Sequence, residues 1–150
     1  MTDLDKASDN NRAALVVFGP EASLKARLGQ YKTVEELSEV LEKLPKMNGR
    51  TRIDLALKVA EDEIFPNARH GVYKMAIILT DGAQSNKTQG LRRSSKPLRD
   101  AGVRVIVVGI GVPKEDSDLR LMTDRNEDVV DAENIQGHLQ KILCGCSKYQ

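Results

Sequence analysis

Aromatic residues are scarce: 3 Tyr, 2 Phe and no Trp in 150 residues. So few rings exclude a platform on which single-stranded nucleic acid would stack its bases. Cysteine is almost missing as well. Only Cys144 and Cys146 occur, separated by Gly145 alone, so no disulfide framework shapes the fold. No apolar run approaches the ~18 residues that a membrane-spanning helix requires. Charge of a single sign is absent too, with 23 basic residues facing 22 acidic ones for a net charge of +1. That balance excludes a global nucleic-acid-binding field and leaves room only for a local patch. The first residues, MTDLDKASDNN, are polar and acidic and do not form a signal peptide. There is no internal repeat and no low-complexity stretch.

What remains is ordinary globular material, 40% hydrophobic and 30% charged, at the size of one domain. The expected organisation is a polar lead-in over 1–12, a folded body over 13–143 and a cysteine-containing tail over 144–150. Three short, partly β-branched and mainly apolar runs, 13–18, 75–79 and 103–108, read as strands buried on both faces. A weaker fourth lies around Val129 and Val130 within 127–132, and a short edge strand fits 24–28.

Helical patterns separate these runs. Thr33 and Glu36 have capping-box spacing, and Val34, Leu37, Leu41 and Leu44 continue as one apolar stripe up to Pro45. Ile53, Ala56, Leu57, Ala60 and Ile64 make a second stripe, ended by Pro66. Leu91, Leu98 and Ala101 suggest a third helix, weakened by Pro97 and closed by Gly102. A short helix fits 118–122. The last covers 133–143, with Ile135, Leu139, Ile142 and Leu143 inward. Such alternation implies an α/β fold: a three-layer, Rossmann-like, open and mostly parallel sheet with helices on both faces.

Ligands of such sheets bind beyond the carboxyl ends of the strands. The loops there are Gly19-Pro20, Thr80-Asp81-Gly82 and 109–113. Asp81 offers a carboxylate at that edge, which suits a hard cation that takes oxygen ligands; an Asp before Gly also simply makes turns. Thr51 opens the second helix, where a hydroxyl can ligate a cation or cap the helix.

Taken in order, these stretches resemble a von Willebrand factor type A domain, the fold of integrin I domains, matrilins and type VI collagens. The resemblance covers nearly the whole chain. It rests on Ala14-Leu15-Val16-Val17-Phe18-Gly19, on Gly49-Arg50-Thr51 with Ala56-Leu57, on Ile77-Ile78-Leu79-Thr80-Asp81-Gly82, and on Ala101-Gly102-Val103 through Val107-Val108-Gly109-Ile110-Gly111. It implies a metal-ion-dependent adhesion site, in which a partner's acidic side chain completes the coordination of Mg²⁺ or Mn²⁺. In that scheme Thr51 is the threonine ligand and Asp81 the aspartate that acts through water. The family's Asp-x-Ser-x-Ser motif has no counterpart, because no Asp here has a Ser two residues later. The run 13–18 therefore corresponds to the family's second strand, the first being absent, and the implied site is partial and weak.

Other constellations are less specific. Arg92, Arg93, Lys96 and Arg99, with Lys87 and Arg104, face only Asp100 nearby, a patch that suits an acidic protein surface or a sulfated glycan and equally a solvated helix face. Asn86-Lys87-Thr88 is a glycosylation sequon. Cys144 and Cys146 are disulfide candidates by the resemblance, or free thiols. His70 and His138 are isolated, without a second ligand at zinc spacing, and read as surface or structural residues. Nucleophile-elbow, phosphate-loop and complete dinucleotide motifs are all missing. The resemblance thus implies a non-enzymatic, extracellular adhesion or matrix module that binds a protein such as collagen. The alternative is a structural or scaffold module that binds without metal, inside or outside the cell.

Overall fold

Strand β4 (Arg104–Gly109) shows why the long apolar run at this point becomes a strand. Val105, Ile106, Val107 and Val108 are all buried, as a strand flanked on both edges and covered on both faces requires. The computed structural model describes residues 11–44, 50–81, 90–111, 113 and 115–146, with the side chains of 142–146 outside the description. They form two compact units, Met1–Arg69 and His70–Gln150.

The first unit opens with β1 (Leu15–Phe18) and β2 (Ala22–Ala26), an antiparallel hairpin in which Val16 stands opposite Leu24 and Phe18 opposite Ala22. Gly19 N–H donates to the Glu21 carbonyl at 2.8 Å and tightens the turn. The hairpin partner thus lies two residues earlier than the expected 24–28. Helix α1 (Val34–Glu42) begins with the capping box foreseen from sequence. Glu36 N–H donates to Thr33 Oγ1 at 3.2 Å, and Thr33 N–H donates to the Glu36 carboxylate at 3.4 Å. Helix α2 (Ile53–Val59) packs Ile53 and Leu57 on the hairpin. It widens into a π turn at Ala60–Ile64 and ends in a 3₁₀ turn at Phe65–Asn67, where Pro66 stops it.

The second unit holds a parallel sheet in the order β3-β4-β5, with β3 (Met75–Thr80) and β5 (Val129–Asp131) on either side of β4. Helix α3 (Leu91–Asp100) runs through Pro97 without a break. Leu91, Ser95 and Leu98 are buried on one side of it, so packing on β4 outweighs the proline's lost backbone bond. Gly102 (φ 79°) takes the left-handed conformation that closes the helix. Helix α4 (Ser117–Arg120) is capped by Asp116, which accepts from the N–H groups of Asp118 and Leu119 at 2.9 and 3.3 Å. Helix α5 (Ile135–Cys146) extends past the expected end at 143, so both cysteine positions belong to its last turn rather than to a separate tail. The α/β, Rossmann-like class expected from sequence is what these elements build.

Candidate functional site

Asp81 follows β3 directly and is exposed. Just before it, the buried Thr80 accepts at its carbonyl from Ile110 N–H at 2.8 Å, which pins the carboxyl ends of β3 and β4 together. The carboxylate therefore stands at the rim where parallel sheets bind ligands.

Thr51 lies in the other unit. Its neighbour Arg52 donates its N–H to the Gly19 carbonyl at 3.0 Å, holding the start of α2 against the end of β1. Arg52, not Thr51, is the N-cap residue of α2, and its side chain makes no cap bond to the helix. The Arg52 guanidinium instead grips Asp54 through two bonds of 2.8 and 2.7 Å. That grip lowers the Asp54 pKa below the ordinary carboxylate range and raises that of Arg52. Asp81 thus stands at the end of β3 and Thr51 just before the N-cap of α2, each within its own unit.

Their chemistry, a carboxylate and a hydroxyl, suits a hard cation, but Mg²⁺ requires near-octahedral coordination and two protein donors do not complete it. Among the described residues no group of three or more His, Cys, Asp or Glu side chains assembles as a metal cluster. These residues alone do not make a full site, and no chemical step is routed through a cation here. Asn86 lies outside the described residues, as do the side chains of Cys144 and Cys146.

The basic run looks different in three dimensions. Lys96 pairs with Asp100, and Arg99 pairs with Asp124 while also donating to the Arg92 carbonyl at 2.9 Å and to Ser95 Oγ at 3.1 Å. The Arg99 side chain is only 8% exposed. Arg92 and Arg93 stay exposed on α3. Arg104 turns into the unit and meets Asp128. The acids that engage Arg99 and Arg104 come from a later loop, so local counting around Asp100 could not see them.

Asp128 is the feature that sequence reading missed. It is 2% exposed and accepts from Arg104 through Nε (3.1 and 3.0 Å) and Nη2 (2.7 Å). His138 Nε2 approaches the same carboxylate at 3.1 Å. The Asp128 bonds, with a further one to Tyr73, raise the Arg104 pKa above its already high value. The cluster ties β4, the turn before β5 and α5 together, with His138, read from sequence as surface or structural, packed into it. An open groove of about 620 Å³ beside β5 carries both signs of charge, Arg120 and Lys141 against Glu127 and Asp131, and selects no ligand class.

Comparison with known proteins places this arrangement. The sequence profile of the von Willebrand factor type A domain matches residues 1–143. The mouse von Willebrand factor A domain-containing protein 2 is 32% identical over 143 residues, covering 93% of this chain and 17% of that protein. The human collagen alpha-1(XXI) chain is 23% identical over 141 residues, covering 89% of this chain and 14% of the collagen. Among solved structures, proximal thread matrix protein 1 from the mussel byssus, with a zinc-occupied MIDAS motif, superposes with a TM-score of 0.79 at 28% identity, covering 92% of this chain and 36% of that one. The chain spans less than a fifth of the length of these two sequence relatives.

Proposed function

The chain belongs to the von Willebrand factor type A domain family, and on that premise we propose that it is a non-enzymatic protein-interaction module of the extracellular matrix. One observation carries the reading: an exposed aspartate, Asp81, at the carboxyl end of a parallel sheet, in a chain whose relatives include a collagen. The partner is a matrix protein such as collagen, engaged through an acidic side chain. Asp81 and Thr51 are the donors that this chain would contribute toward Mg²⁺ or Mn²⁺. A bound dication would supply a directional contact for the partner's carboxylate. With two donors of its own, the chain holds the ion weakly. Asn86 as a glycan site and the cysteines Cys144 and Cys146 as disulfide ends belong to the same secreted reading. Among the described residues, no helix is long and apolar enough to cross a membrane.

The small donor count favours a second reading, a structural module that binds its partner without metal. Capture of the chain on immobilised collagen, with and without EDTA, separates the two. The first reading expects capture that falls with EDTA and with Asp81→Ala. Capture indifferent to both selects the metal-free module, and no heat on calorimetric titration with Mg²⁺ or Mn²⁺ removes the cation from the account.

A further inference from the structure

The first two turns of α5, residues 135–141, bury no side chain: Ile135, His138 and Leu139 are half-buried and the others are exposed. Helix α3 of the same unit, in contrast, buries Leu91, Ser95 and Leu98. Helical turns with so little apolar cover stand at the low end of local stability, where a single polar bond counts for much. His138 supplies one. Its Nε2 lies 3.1 Å from Asp128 Oδ1 and so joins the helix to the turn before β5.

The two ends of that bond differ in kind. Asp128 is buried and is a fixed acceptor, gripped by Arg104. Imidazole is the side chain whose charge changes between about pH 5 and pH 8. In its neutral form His138 reaches the carboxylate only in the tautomer that carries the proton on Nε2. The imidazolium has a proton on both nitrogens and adds the attraction of opposite charges across a mostly dry contact.

The surrounding charges do not reverse this. Arg104 opposes a second positive charge, but its guanidinium is answered by Asp128 and, at 3.6 Å, by Glu127, and it also bonds Tyr73. Arg125 stands 3.5 Å from Glu127. Arg120, Lys141 and Asp131 line the open groove beside His138. Asp131 favours the imidazolium. Arg120, Arg125 and Lys141 oppose it, but they are exposed, and water and salt screen them more than the carboxylate in direct contact.

We propose that the start of α5 is a pH-responsive element: protonation of His138 tightens its hold on the turn before β5, and loss of that proton loosens it. The proposal uses neither Thr51 nor Asp81 and is independent of the cation reading. The chain has one other histidine, His70, which is exposed, so the response can be assigned to a single residue.

Amide exchange of the full chain, followed by NMR at about pH 5.5 and about pH 7.5 and corrected for intrinsic rates, reads the response. The amides of residues 138–141, which bond back along the helix, are expected to lose protection at the higher pH by ~threefold or more, the gain that a charged partner adds to a hydrogen bond. The amides of β4 should keep theirs. His138→Gln retains a donor that does not titrate, and its α5 should be protected equally at both values. His70→Gln should respond like the parent. The proposal is overturned if α5 protection in the parent is unchanged or higher at pH 7.5, or if β4 loses protection equally. It is also overturned if His138→Gln keeps the pH dependence or if His70→Gln abolishes it.

Discussion

The two units use apolar residues in opposite ways. In the second, β4 lies between two strands and under helices, and Ile106 has no exposed surface at all. In the first, α1 has a good cap and a regular apolar stripe, yet none of its residues is buried and Leu41 is 46% exposed. The comparison separates two sources of order. Helix α1 is specified locally, by the Thr33–Glu36 box and by the periodicity of Val34, Leu37 and Leu41. Strand β4 is specified by what surrounds it. Local signals decide that an element forms, whereas burial decides how strongly it is held.

The largest effect should come from the centre of β4. Ile106→Ala removes a fully buried side chain and leaves a cavity, at a cost of about 2–4 kcal/mol. Leu41→Ala on α1 should cost no more than about 0.5 kcal/mol, as a partly exposed surface change does. Urea unfolding of the two variants measures both. Equal losses would break the contrast between the units and imply that α1 is covered in solution.

Next in size is Asp128→Asn, which sharpens the account of the second unit. Arg104 would keep its charge in a largely buried place, with Glu127, at 3.6 Å, as the carboxylate left to answer it among the described residues. Loss of the carboxylate should destabilise the unit by about 2–3 kcal/mol, since breaking a buried pair strands the remaining charge. The amides of α5 should exchange faster too, because the bond from His138 then goes to a neutral amide oxygen instead of a carboxylate. An unchanged α5 would mean that packing on β5, not Asp128, holds that helix.

How far these features could be read in the sequence depends on how local their causes are. The capping box, the β4 run and the stop at Pro66 are written within a few residues of where they act, and the structure has them there. Strand β2 lay two residues from its expected place because the hairpin turn at Gly19–Glu21, not the apolar spacing of 24–28, sets its register. The basic run Arg92 to Arg104 looked unbalanced because its counter-ions, Asp124 and Asp128, are distant in sequence. Residues 104, 128 and 138 show no common pattern, so the buried cluster they form was invisible before the fold. Asp81 was legible because a single strand end carries it. What it would bind was not, since a cation site depends on groups that no one stretch contains.

The smallest effect is a pH dependence seated in the first unit, where Arg52 holds Asp54 at 2.7 and 2.8 Å. The Arg52 hydrogen bonds keep the Asp54 pKa below its ordinary value. A carboxyl with a depressed folded-state pKa adds stability that is complete above the unfolded value of about 3.9 and disappears as pH falls through the lower folded one. Asp54→Asn should therefore be less stable than the parent at pH 7, by less than Asp128→Asn, and the gap should close once pH falls below that window. Thermal unfolding of both proteins between pH 7 and pH 2 reads the difference directly. A gap that persists at pH 2 would show that Asp54 contributes through packing rather than charge. The hold of α2 on the end of β1 would then rest on the Arg52 N–H bond to Gly19 instead of on the Arg52–Asp54 pair.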